Sequence, residues 1–141
     1  MRFVEFLPEH LGMVETYDGV DEKGMDLFKL GEACKRGGPC LSLFDGDTIV
    51  ACGGITMPWP GMAYIWTRVS LKAGPQALKN IRGQMYRWAE ENSLDRIQAT
   101  AREDWEQDHK FLELMGMKRE TLMEKYGPKG VNQILYAWVR K

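Results

Sequence analysis

A chain of 141 residues is long enough to bury a sizeable core and falls within the usual size of one domain. Hydrophobic residues make up 44% and charged residues 28%, which argues against disorder; a net charge of -1, from 19 basic and 20 acidic side chains, argues against a nucleic-acid partner. No apolar run approaches the roughly 20 residues that cross a bilayer, and the opening Met-Arg-Phe-Val-Glu is charged where a secretory leader is apolar, so a reducing cytoplasm is the expected location.

Residues 2–6 alternate and predict a first strand. Pro8 suits the first turn of a short helix that carries Leu11 and Val14 on one face. After a polar, glycine-containing stretch at 17–24, Leu27, Leu30, Ala33 and Cys34 recur at helical spacing until Gly37-Gly38-Pro39 stops the helix. The period then changes to two. Residues 40–44 and 48–57 read as strands joined by Asp45-Gly46-Asp47, a hairpin signal. Pro58-Trp59-Pro60-Gly61 reads as a turn, with a third strand of this meander at 62–70.

Leu78, Ile81, Met85, Trp88 and Ala89 form an apolar stripe that predicts a helix over 75–92, with Pro75 at its start. A strand follows within 94–101 and should lie parallel to the strand at 62–70, because the helix between them makes a right-handed crossover. Asp104 is placed to cap a helix carrying Trp105, Phe111, Leu112 and Met115, and Gly116 to end it. Strands at about 118–126 and 131–140 close the chain around Gly127-Pro128-Lys129-Gly130. The order β-α-α-β-β-β-α-β-α-β-β predicts one α/β domain over 1–141, a mixed central sheet flanked by helices.

Few residues are suited to metal or nucleophilic chemistry. Cys34, Cys40 and Cys52 form no C-x-x-C pair and read as small buried apolar residues. Asp104, Asp108 and His109 cluster on one helix, where they read as solvated polar residues rather than metal ligands. No serine sits in a G-x-S-x-G context. Tyr64, Trp66 and Arg68 alternate on one strand face, as packing residues or as the lining of a substrate groove.

The element order, together with Phe111-Leu112-Glu113-Leu114-Met115-Gly116-Met117, Gly53-Gly54 in the second meander strand and Tyr86-Arg87-Trp88-Ala89-Glu90-Glu91, resembles the GNAT superfamily of acyl-CoA-dependent N-acyltransferases. The resemblance implies the GNAT fold and a coenzyme A pyrophosphate held by a Q/R-x-x-G-x-G/A loop at a helix N-terminus. Here Ala73-Gly74-Pro75-Gln76-Ala77-Leu78 falls on that pattern. Only Gly74 supplies a loop glycine, and Pro75 removes an N–H donor. The resemblance assigns cofactor contacts to Arg68, Val69, Gly74, Gln76, Ala77, Leu78 and Lys79, with Lys72 nearby. The family's thiolate-protonating tyrosine is replaced by Leu112, and Trp105 stands near the family's upstream asparagine. Glu103 and Asp104 are the remaining candidates for a base, with helix capping as their other reading.

The run from Cys40 to Gly116 is also similar to the GNAT-like small internal virion protein family of short-tailed phages. The shared features are a Leu-Ser-Leu-Phe meander, a cofactor helix without the glycine loop, and Phe-Leu in place of Phe-Tyr. This resemblance implies a cytoplasmic or virion protein whose partners are other phage virion proteins or itself, with no nucleic acid or membrane. Two functions follow. One is a catalytically degenerate GNAT-like protein of virion structure or assembly, with no cofactor or weakly held acetyl-CoA; five tryptophans suit its contact surfaces. The other is an active acetyl-CoA-dependent N-acetyltransferase acting on a protein or small-molecule amine.

Overall fold

The computed structural model describes residues 1–16 and 26–141; the polar stretch expected at 17–24 lies outside them. The described elements are β1 (Arg2–Glu5), α1 (His10–Met13), α2 (Leu27–Gly37), β2 (Cys40–Asp45), β3 (Thr48–Trp59), β4 (Met62–Val69), α3 (Pro75–Glu91), β5 (Arg96–Arg102), α4 (Glu106–Leu114), β6 (Lys118–Met123) and β7 (Gln133–Val139). The seven strands form one sheet in the order β1-β2-β3-β4-β5-β7-β6. β4 and β5 run parallel, with Met62 beside Arg96 and Tyr64 beside Gln98, as the α3 crossover requires. The pairs β1–β2, β2–β3, β5–β7 and β6–β7 are antiparallel, so the sheet is mixed. Among the described residues no helix is long and apolar enough to cross a membrane.

The chain gathers into two compact units, Met1–Met57 with Ile65–Lys79, and Pro58–Tyr64 with Asn80–Lys141. In the first unit, Phe6, Leu11, Val14, Ile49 and Cys52 form a buried cluster, with Leu27, Cys34, Cys40, Phe44 and Trp66 packed around it. Trp66 sets its ring edge-on to Phe6, with centroids 5.3 Å apart. Pro8 lies in the turn before α1 rather than inside it, while Leu11 and Val14 are buried.

The buried face of α2 differs from the one its apolar spacing predicts. Leu30 and Ala33 are exposed, and Gly31 is buried instead. A side chain at Gly31 would meet the Pro8 carbonyl at 2.4 Å, so the closest approach of this helix runs through its glycine, not its leucine. The three cysteines are free thiols; burial pushes Cys34 and Cys40 upward and Cys52 up to about 12, which keeps all three protonated at neutral pH.

In the second unit, α3 and α4 contribute to one face. Leu94, Ile97, Met85 and Tyr136 are almost fully buried, each apolar side chain of this size contributing about 1.5–3 kcal/mol on burial. Tyr86 packs its ring at 6.0 Å from Trp138, and His109 its ring at 5.7 Å from Tyr136. Several boundaries move. β3 runs through Pro58 and Trp59, so the turn to β4 shrinks to Pro60-Gly61, with Gly61 at φ +91°. β6 ends at Met123 rather than 126 and β7 begins at Gln133, because Pro128–Gly130 forms a tight helical turn between them. Gly116 ends α4 as expected, at φ +87°.

Candidate functional site

The residues singled out by sequence occupy two places. Arg68, Val69, Gly74, Gln76, Ala77, Leu78 and Lys79 lie in the first unit, at the end of β4 and the start of α3. Glu103, Asp104 and Leu112 lie in the second unit, between the end of β5 and the last turn of α4.

The segment between β4 and α3 is tied down by its own backbone. Ser70 donates its amide to the Val50 carbonyl at 2.8 Å, and Leu71 donates to the Glu15 carbonyl at 2.9 Å. The Lys72 amide donates to Ser70 Oγ at 3.1 Å, and the Ala73 amide to the Ser70 carbonyl at 3.0 Å. Pro75 has no N–H, and Leu78 donates to the Gly74 carbonyl at 3.2 Å. Along 73–78, the Ala73 and Leu78 amides are therefore committed within the chain and Pro75 has none. Gly74 does not have the positive φ that calls for glycine, and a side chain there would meet nothing within 4 Å.

One of the charges beside this segment is paired. Lys72 Nζ lies 3.5 Å from a Glu15 carboxylate oxygen, on the surface. Lys79 and Gln76 are exposed, and Leu78 and Val69 are half-buried. Ala77 is fully buried. Arg68 is half-buried, and loss of solvent lowers the pKa of its guanidinium. Trp66 belongs to the packing of the first unit, whereas Tyr64 is 44% exposed in the second.

At the other place, Asp104 does not cap α4. The helix starts after Trp105 with no side-chain cap, and the Asp104 carboxylate turns to Arg102, Nε to Oδ1 at 2.7 Å. That hydrogen bond, more than the charge alone, holds the Asp104 carboxyl below the usual carboxylate range. A carboxylate so paired is a weaker base. The Arg102 guanidinium also lies over the Trp105 ring, 5.0 Å from its centroid. Glu103 is exposed, and its backbone bonds in both directions: N–H to the Asn132 carbonyl at 3.0 Å, C=O from His109 Nε2 at 2.9 Å.

His109 overturns the reading of a solvated helix residue. It is 3% exposed, one turn before the buried Leu112 and on the same face of α4. Its Nε2 faces a carbonyl and must carry the hydrogen, so Nδ1 accepts from the Tyr136 hydroxyl at 2.8 Å. The Tyr136 oxygen in turn accepts from Arg119 at 3.3 Å. Both imidazole nitrogens and the phenol are thus engaged within the fold. Asp108 is half-buried, and burial raises its carboxyl pKa. Among the described residues no three His, Cys, Asp or Glu side chains gather to hold a metal ion.

Sequence reading missed the Arg119–Tyr136–His109 chain. The signal was present in part, since His109 and Leu112 are three apart on a helix, but nothing local pointed to Tyr136 on β7. Ser70 and Glu15, which bond the segment before α3, carried no sequence signal.

No family model and no curated protein matches the chain. Solved structures do match its fold. An acetyltransferase of the GNAT family from Bacillus anthracis superposes with a TM-score of 0.74 over 97% of this chain and 93% of its own, at 17% identity. One from Streptococcus pneumoniae covers 99% of each chain with a TM-score of 0.72 and 14% identity. A ribosomal L7/L12 α-N-protein acetyltransferase, solved in complex with coenzyme A, covers 80% of this chain and 71% of its own with a TM-score of 0.68 and 14% identity. The chain therefore has the α/β GNAT fold. Its residues fit a coenzyme A pyrophosphate poorly: the helix start attracts an anion, but the Ala73 and Leu78 amides donate within the chain, Pro75 has none, and Lys72 already has a carboxylate beside it.

Proposed function

We propose that this chain is a GNAT-fold protein that no longer transfers acyl groups and acts through protein contacts, in the structure or assembly of a phage particle. The observation that carries the proposal is the state of the segment before α3. Ala73 and Leu78 donate their amides within the chain, and Pro75 has none. Leu112 supports it from the other side: it is buried and has no proton to give, and the adjacent His109 has no nitrogen to spare. The particle itself rests on the resemblance to small internal virion proteins. The partners are other virion proteins or further copies of this chain.

Two experiments test the reading. Calorimetric titration with acetyl-CoA should give binding weaker than about 100 μM, since several charge-assisted N–H contacts are missing. Mass spectrometry of purified virions and the particle yield of a deletion phage should show the protein in particles or required for their assembly. Absence from particles together with normal yield of infectious virions overturns the assembly role. A second reading, an active acetyl-CoA-dependent N-acetyltransferase, is favoured by one observation: the first turn of α3 keeps an open helix start beside Lys79. Low-micromolar binding of acetyl-CoA would make that the better reading.

A further inference from the structure

The first helix is held at its start by a titratable ring. α1 has four residues, too few to be stable alone, and Glu9 before it supplies no side-chain cap. Two hydrogen bonds between Leu7 and His10 close its start instead. The His10 amide donates to the Leu7 carbonyl at 2.8 Å, and the Leu7 amide donates to His10 Nδ1 at 3.1 Å. The imidazole meets the rings of Phe6 and Phe44 edge-on, with centroids 6.1 Å and 5.5 Å away. The fully buried Ser42 Oγ stands 2.8 Å from the same Nδ1.

Each imidazole nitrogen offers one lone pair or one hydrogen. Because Nδ1 accepts from the Leu7 amide, the neutral ring carries its hydrogen on Nε2. A second proton therefore has only Nδ1 to occupy. There it displaces the Leu7 bond and sets two N–H groups facing each other. Ser42 Oγ is placed to accept from the protonated ring, so proton uptake exchanges Leu7 for Ser42 as partner. Burial opposes the charged ring most; Glu9 beside it favours the proton, and Lys35 of α2 disfavours it. Lys35 is itself engaged, with the Phe6 carbonyl at 2.9 Å and with Glu5 of β1 at 2.9 Å. On the β2 side the ring meets Ser42 and Phe44, with the Arg2 guanidinium over the Phe44 ring.

What α1 holds in place lies just beyond it. Val14 ends the helix and is 2% exposed, and the carbonyl of the next residue, Glu15, accepts from the Leu71 amide at 2.9 Å. The Glu15 carboxylate lies 3.5 Å from Lys72 Nζ. The turn that His10 closes and the segment before α3 are thus joined through one short helix. We infer that His10 is an acid-released latch: a proton at Nδ1 frees the start of α1, and the Glu15 carbonyl leaves the Leu71 amide with it. The segment before α3 is closed at neutral pH and opens in acid, because the open state binds the proton more readily. This holds whether or not the chain acts in a particle.

Amide hydrogen exchange of the full chain at about pH 7.5 and 5.5, corrected for the intrinsic effect of pH, tests the latch. Opening of the Leu7, His10 and Leu71 amides should rise together by up to about tenfold, the most that one histidine gives over that range. The Ser70 amide, bonded to Val50 in the same unit, should keep its protection. His10→Gln retains an acceptor for Leu7 without a titrating group, so its exchange should not change with pH. A Leu71 amide that stays protected while Leu7 opens shows that the latch does not reach the segment, and overturns the inference. So does Ser70 opening in step with Leu71, which means that the whole unit unfolds, or a rise that persists in His10→Gln. Should that variant fold poorly, a magnetic resonance titration of the His10 ring in the parent decides. A midpoint below the usual 6.5, in step with the Leu71 amide, is expected; one at or above 6.5 overturns the latch.

Discussion

At the segment before α3 the internally committed groups are backbone amides close to the surface, while around α4 they are side chains sealed in the core. Leu71, Lys72 and Ala73 donate their amides to Glu15 and Ser70. His109 and Tyr136 are 3% and 0% exposed, and each completes the other's hydrogen bonding. Apart from the Lys72 amide, which needs the Ser70 hydroxyl, bonds of the first kind survive most substitutions, because both backbone groups are there whatever the residue. The second kind depends on particular side chains, and losing one strands its buried partner. The two places that the sequence resemblance singles out therefore have opposite tolerance to mutation.

The sharpest way to break this contrast is His109→Ala. It leaves the Tyr136 hydroxyl and the Glu103 carbonyl without their partner and opens a cavity, so urea unfolding should show a loss of about 3–4 kcal/mol. A loss under about 1 kcal/mol would mean that the pair is not structural and is available for chemistry. Gly116→Ala comes next. The added carbon would stand 2.3 Å from Tyr86 Oη at a φ of +87°, which disturbs the Tyr86 bond to the Met115 carbonyl. The expected cost is about 2 kcal/mol by the same measurement.

A pH series sharpens the comparison from within the first unit. His10 Nδ1 accepts from the Leu7 amide at 3.1 Å and lies 2.8 Å from Ser42 Oγ, in a site that is 7% exposed. Burial, the largest influence, lowers its pKa from the usual 6.5. The unfolded chain therefore binds the proton more readily than the folded one. Stability from this group is complete above pH about 6.5 and is lost as pH falls from there through the lower folded value. Denaturation followed from about pH 7.5 to 5 should show this decline, and His10→Gln should flatten it. An unchanged slope in that variant would assign the decline to other groups.

At the segment before α3 the effects should be small. Lys72→Ala removes only an exposed pair with Glu15, so stability should stay within about 0.5 kcal/mol. Its acetyl-CoA titration should match the parent's; a clear fall in affinity would show that Lys72 reaches the phosphates despite Glu15. Smallest of all is Leu112→Tyr, for which thiol release from acetyl-CoA with generic amines should remain at background. A proton donor helps only when the thioester is held at reactive distance. Robust turnover would show that the segment before α3 is competent after all.

Most of the secondary structure was legible in the residues, because periodicity is local. The change from helical to alternating spacing at Cys40 and the glycine after α4 each depend on neighbours within one or two turns of chain, and the parallel β4–β5 pairing followed from the helix between the two strands. Departures arose where another group competed with the expected local role. Asp104 had a helix start to cap, but Arg102 beside it took the carboxylate. Leu30 fitted the apolar stripe of α2, yet Gly31 alone allowed the approach to Pro8.

The missing proton donor at 112 and the missing N–H at 75 belong to the sequence by itself, since no fold supplies a leucine with a hydroxyl or a proline with an amide. What each remaining group is bonded to was decided only by the tertiary structure. The Tyr136–His109 bond joins residues 27 apart, and the Leu71 amide reaches Glu15 across most of the first unit's sequence. A hydrogen bond is directional and ends within about 3 Å, whereas composition and spacing record only which donors and acceptors exist. Whether a histidine is solvated or sealed, and whether a loop amide is open or committed, depends on which strand and which face arrive beside it.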